Sequence, residues 1–177
     1  MTDPRWLDAT EMAAWRAFLS ASHLLERRIE EQLKAAAGLT HPQYEILVRL
    51  AEAPGRRMRM TELARGVVVS KSALTYQITQ LEKAGLVERT TYPGDERGVL
   101  AVLTEAGLSC LERVAPGHLE VVRAFLIDRL SRTELRAMTT AMQKAEAVLR
   151  APADPTTRTN PATSTNPAKP TTQVAPT

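Results

Sequence analysis

Six residues with chemistry to offer stand close together: Ser70, Lys71, Ser72, Thr75, Tyr76 and Thr79. Leu74, Ile78 and Leu81 recur among them at helical spacing, which predicts a buried stripe with the polar six facing outward. The outward face is rich in hydroxyls, carries one lysine and one tyrosine, and has no carboxylate before Glu82. A helix that offers hydrogen-bond donors without early negative charge suits a DNA groove, where base edges and phosphates accept such donors. Ser70 is a good N-cap, because its hydroxyl can take an amide that the first turn leaves unpaired. Gly85, just past the other end, suits the C-cap.

A face of this kind must be held by its neighbours in the chain. From Thr61 the sequence gives a short helix and a turn before the Ser70 helix. Leu86–Tyr92 alternates as a strand, Pro93-Gly94-Asp95 is a turn signal, and Val99–Leu103 would pair back as a hairpin. Arg56–Met60 alternates Arg and Met and suits a short extended piece. The pattern over Thr61–Arg97 is a winged helix-turn-helix, with residues 40–103 as its domain.

Long helices flank it. Asp8 with Glu11 makes a capping-box start to a helix running to Ala36, with Trp15, Phe18, Leu19, Leu25, Ile29 and Leu33 on one face and Gly38 ending it. Thr40 with Gln43 repeats that start, and Tyr44, Ile46, Leu47 and Leu50 supply the apolar positions of the next helix. After Thr104 the helical pattern returns with Leu108, Leu111 and Val114, and Pro116-Gly117 is expected to kink or interrupt it. Ser131 with Glu134 would cap a last helix through Leu149. Residues 6–36 and 104–150 thus form a helical region whose apolar stripes need a partner. Residues 151–177 differ in kind, with six of the chain's 11 prolines, eight threonines, and no Leu, Ile, Met or aromatic. Such a segment cannot bury enough apolar surface to offset its ordering entropy, so a disordered tail is expected.

The totals set limits. At 177 residues and 44% hydrophobic content the chain supports one packed domain of roughly 100–150 residues plus extensions. The net charge of +3 is mild, so any nucleic-acid surface must come from local clustering. Between Arg49 and Arg97, nine Lys and Arg stand against six Asp and Glu, an excess equal to that of the whole chain. The single Cys110 excludes an internal disulfide or a cysteine-cluster metal site and is expected as a small buried hydrophobe. His23, His41 and His118 lie on three separate elements, so no metal is expected. No apolar run approaches the ~20 residues of a membrane span, and the polar, acidic N-terminus is unlike a signal peptide. The chain reads as cytoplasmic.

The order of these elements resembles the MarR-type transcriptional regulators over about residues 6–149. The resemblance is carried by Leu81, Glu82, Gly85, Leu86, Val87 and Arg89, by the wing residues Asp95 and Arg97, and by Leu103–Gly107 (LTEAG). It implies a mainly α fold with a small β-hairpin wing, and a homodimer whose terminal helices interleave. Two such helices would then enter successive major grooves of a pseudopalindromic operator. Carried over by position, Ser70, Lys71, Ser72, Thr75, Tyr76 and Thr79 would contact bases or phosphates. Arg97 would enter the narrow minor groove, oriented by Asp95. Arg89 would touch phosphate or cover the sheet.

Many members of the family carry Arg directly after the threonine; here Tyr76 stands there, and tyrosine cannot fork onto guanine as arginine does. The peroxide-sensing branch has a cysteine near the start of its first helix, and this chain has none there. The family often binds small phenolic or anionic molecules between its helical and DNA-binding parts, and Trp15, His23, Tyr44 and Arg49 come from helices that would wall such a crevice. The expected function is a repressor released by such a ligand, with no cofactor. The alternative is a winged-helix module that binds protein, or DNA with little sequence preference. No phosphate loop, metal motif or nucleophile–base pair suggests an enzyme.

Overall fold

The computed structural model describes residues 4–67, 70–92 and 95–151, with side chains in the last stretch described from residue 98 onward. Two compact units divide the chain, Met1–Thr133 and Glu134–Thr177. The proline- and threonine-rich tail after Ala151, expected to be disordered, lies outside the described residues.

Short-range caps place the helices. Helix α1 runs Ala9–Ala37; the Asp8 carboxylate accepts from the Glu11 amide while Glu11 accepts from the Asp8 amide, and Gly38 ends the helix in the left-handed region at φ 67°. Helix α2, His41–Glu52, opens with the same reciprocal bonds between Thr40 and Gln43. These caps satisfy amides that the first turn cannot pair internally.

A single turn of 3-10 helix at Pro54–Arg56 then feeds strand β1, Arg57–Arg59. This extended piece pairs antiparallel with strand β3, Asp95–Leu103, so the hairpin that β3 forms with strand β2, Val87–Tyr92, belongs to a three-stranded sheet in the order β1-β3-β2. Helix α3, Met60–Gly66, precedes helix α4, Lys71–Lys83. Strands β2, Val87–Tyr92, and β3, Asp95–Leu103, pair in regular register up to Thr91↔Val99, with an irregularity before Tyr92↔Asp95. The expected Pro93-Gly94 turn falls outside the described residues.

Helix α5, Glu105–Phe125, is continuous through Pro116, so of the kink or interruption expected at Pro116-Gly117 the interruption is absent. The helix packs along α1 and α2. Gly117 lies so close to α1 that a Cβ there would stand 2.5 Å from Gln32 Nε2. Packing on both sides of the proline offsets the one hydrogen bond that the ring removes. A 3-10 turn at Ile127–Arg129 follows, and helix α6, Arg132–Arg150, begins directly after Ser131.

The core lies in the first unit, beneath the helix-turn-helix. Ile46, Leu47 and Leu50 of α2, Leu63 of α3, Leu74, Ile78 and Leu81 of α4, and Val87, Ala101 and Leu103 of the sheet are buried together. Leu33 of α1 and Cys110, Leu111 and Val114 of α5 close it. The α4–β2 corner fastens α5. The Thr104 hydroxyl caps α5 by accepting from the Gly107 amide at 3.0 Å and donates to the Gly85 carbonyl at 2.8 Å. Gly107 has no room for a side chain, since a Cβ would stand 2.1 Å from the Leu86 carbonyl oxygen. This explains both ends of the Thr104–Gly107 motif.

Candidate nucleic-acid interface

Helix α4 presents the six outward residues as the periodicity predicts, with one qualification. Leu74, Ile78 and Leu81 are buried, and Ser70, Lys71, Ser72, Thr75 and Tyr76 are exposed, Tyr76 at 62%. Thr79 is only half exposed. Ser70 caps the helix through the Ala73 amide at 3.2 Å, and its hydroxyl also lies 3.0 Å from that of Ser72. Thr75 and Thr79 each donate to the carbonyl four residues back, Lys71 and Thr75 respectively, at 2.9 Å. The hydroxyl hydrogens of both threonines are therefore turned into the helix.

Arg89 of β2 points at α4. Its guanidinium donates to Thr79 Oγ1 at 2.8 Å and to the Thr75 carbonyl at 3.1 Å, and pairs with the Glu82 carboxylate at 3.1 Å. The Arg89 amide also donates to Glu82, at 3.1 Å. The guanidinium is thus engaged by α4 and does not lie over the sheet. An open groove of about 430 Å³ separates α4 from the wing; Thr75 and Arg89 line it with Arg59, Thr61, Gly98 and Val99. Arg59 stacks on the Tyr92 ring with 3.6 Å between guanidinium carbon and ring centroid, a cation–π contact that ties β1 to the tip end of β2. Asp95 and Arg97 stand in β3 near the wing tip, with side chains outside the described residues.

The four residues expected around a ligand crevice are not all brought together. Tyr44 and Arg49 of α2 share a depression of about 260 Å³ with His41, Glu45, Val48, Glu52 and His118. Trp15 stacks on Phe18 of its own helix, and His23 lines a shallow surface with Glu26, Arg27 and Glu30. The Arg49 guanidinium also lies against Gly66 at the end of α3, where a Cβ would come within 3.1 Å of it.

The sequence did not suggest that two of the three histidines meet. The His118 ring on α5 lies 4.5 Å from that of Tyr44 and 5.9 Å from that of His41. His41 Nδ1 is 2.8 Å from the Glu26 carboxylate on α1, and its amide donates to Glu30. His118 Nδ1 is buried without a hydrogen-bond partner among the described residues. Burial, and then the charge of His41, lowers the His118 pKa below its ordinary value; burial alone raises that of the Tyr44 phenol.

A helix-turn-helix with a strand-paired wing, an exposed polar face on the second helix and a fixed α5 stalk defines a winged-helix protein of the regulator type. The profile of the MarR family matches residues 39–99. Among solved structures, Sco3205, a MarR family transcriptional regulator from Streptomyces coelicolor in complex with DNA, is 40% identical. The alignment covers 86% of this chain and 95% of that one, with a TM-score of 0.82. AbsC, a MarR family regulator of the same organism, is 44% identical over 84% of this chain and all of its own, with a TM-score of 0.81. The transcriptional repressor YetL of Bacillus subtilis is 28% identical over 120 residues, which is 68% of this chain and 71% of that protein. The chain belongs to the MarR family of transcriptional regulators.

Proposed function

We propose that this protein is a homodimeric repressor that places α4 in the major groove of each half of a pseudopalindromic operator and its wing beside the flanking minor groove. The observation that carries the reading is the exposed face of α4. Ser70, Lys71, Ser72, Thr75 and Tyr76 stand out from a helix whose other side is sealed in the core. The similarity to Sco3205, solved with DNA, and to the repressor YetL supports it. Arg97, with Asp95 beside it, is proposed to enter the minor groove, where negative potential is high.

Residues 40–103 form the proposed DNA-binding domain and residues 6–36 and 104–150 the dimerisation region. Trp15, Phe18 and Leu24 of α1 and Leu119 and Phe125 of α5 are large apolar side chains left exposed. A second copy of the chain, related by a two-fold axis, would cover such surfaces. A small phenolic or anionic molecule is the proposed releasing signal, with Tyr44 and Arg49 at its site.

Footprinting of the purified protein across its own upstream region, repeated with a panel of aromatic acids, tests the reading. A protected palindrome that is lost on adding one acid is expected. In the same assay Tyr76→Ala should relax discrimination at one or two base pairs, each worth about 1–3 kcal/mol, and leave non-specific binding largely intact. A footprint identical to the parent's would remove Tyr76 from the groove.

A further inference from the structure

Thr75, Thr79 and Glu82 occupy positions i, i+4 and i+7 of α4, one stripe nearly two turns long. Arg89 lies across that stripe from the neighbouring strand and touches all three residues. The stripe borders the one that carries Ser72 and Tyr76, offset by a single residue in each turn. Glu82 and Arg89 are 29% and 31% exposed, so their attraction is screened less than that of a surface pair. The contact is fourfold, since the Arg89 backbone amide also reaches Glu82. These three hydrogen bonds and one ion pair fix both the distance of β2 from α4 and the rotation of the helix about its own axis.

Rotation matters because base reading tolerates little error. Turning a helix by roughly 10° moves the tip of an outward side chain on the order of 1 Å, enough to spoil a hydrogen bond to a base edge. We infer that Arg89, clamped by Glu82, is a positioning residue for operator recognition: it sets the rotation of α4 and thereby the aim of Ser72 and Tyr76, without touching DNA itself. Thr79 belongs to the same brace. Its O–H donates to the Thr75 carbonyl while its oxygen accepts from Arg89, which takes the hydroxyl out of the reading set. The brace also ties α4 to the wing, so the major-groove and minor-groove elements meet DNA as one body.

The inference rests on the DNA-binding reading, and its test separates the two. Arg89→Met, Arg89→Lys and Glu82→Gln are compared with the parent on an operator duplex and a scrambled duplex over a range of salt. Arg89→Met should lose about tenfold or more on the operator and less than about twofold on the scrambled duplex, with an unchanged salt slope. A phosphate contact would instead weaken both duplexes together and reduce the slope by about 0.9, and that result would overturn the inference. Glu82→Gln, which keeps the side-chain shape, should reproduce the specific loss in milder form, and Arg89→Lys should recover part of it. Hydrogen exchange of the DNA-free protein is the second measurement: α4 amides should exchange faster in Arg89→Met and Glu82→Gln while those of α2 do not. Unchanged exchange in α4 would overturn the brace. A parent that binds neither duplex would sink the DNA reading, and exchange alone would then decide whether Arg89 holds the helix.

Discussion

The winged lobe and the long helices draw on similar apolar residues and bury them differently. Helix α2 buries Tyr44, Ile46, Leu47 and Leu50 within 12 residues, and the 13 residues of α4 bury Leu74, Ile78 and Leu81. Helix α1, with 29 residues, buries only Ile29 and Leu33. Helix α6 buries none, although Met142, Val148 and Leu149 are among its residues. The lobe closes its core within one chain, whereas α1 leaves Trp15, Phe18 and Leu24 exposed. Stability and assembly are therefore expected to reside in different residues.

The largest effect should come where the lobe holds α5. Gly107→Ala places a methyl group against the Leu86 carbonyl, a backbone atom that cannot swing aside. A loss of about 3 kcal/mol or more is expected in denaturant unfolding. A stable Gly107→Ala protein would mean that the corner can open. On the other side of the comparison, Leu24→Asp alters an exposed position on α1. It should change the lobe's unfolding by less than about 1 kcal/mol while converting the proposed dimer to monomer in light scattering, because it puts a charge into the proposed apolar interface. Equal effects on folding and on assembly would erase the distinction between the two regions.

A third, smaller effect lies where the regions touch. His118 has its pKa lowered in the folded state by burial first and by His41 second. Below the ordinary histidine value of about 6.5 the unfolded chain binds the proton more readily, so the stability due to neutral His118 is full above that pH and is lost as pH falls. The thermal midpoint should drop between pH 7.5 and 5.5, and His118→Phe should flatten that drop. A parallel drop in the variant would assign the dependence to other groups.

What the sequence made legible was local. Asp8 with Glu11, Thr40 with Gln43, and Ser70 each cap a helix through partners three residues away, so residue type and spacing suffice. The outward face of α4 follows from its period in the same way. Features that depend on distant partners were harder to read. Three residues at Arg57–Arg59 form a strand only because Leu100–Val102 of β3 pair with them. Pro116 stays within a helix because α1 and α2 pack beside it. His41 and His118 meet across 2 helices far apart in sequence, and no spacing rule links them. Arg89 was recognisable as a motif residue, but its partners lie on another element, as far back as Thr75, and no spacing rule links them.

The inward-turned threonine hydroxyls also constrain which bases would suit this surface. At Thr75 the hydrogen is committed to the Lys71 carbonyl, so the side chain offers a methyl group and oxygen lone pairs. Next to it stands a tyrosine, which lacks the paired donors that bind the O6 and N7 of guanine. A methyl group packs well on the 5-methyl of thymine, and lone pairs accept from the amino groups of adenine or cytosine. A base pair that faces Thr75 in the proposed complex should therefore favour thymine through its methyl group, a chemical preference arising from how the threonine satisfies its own helix.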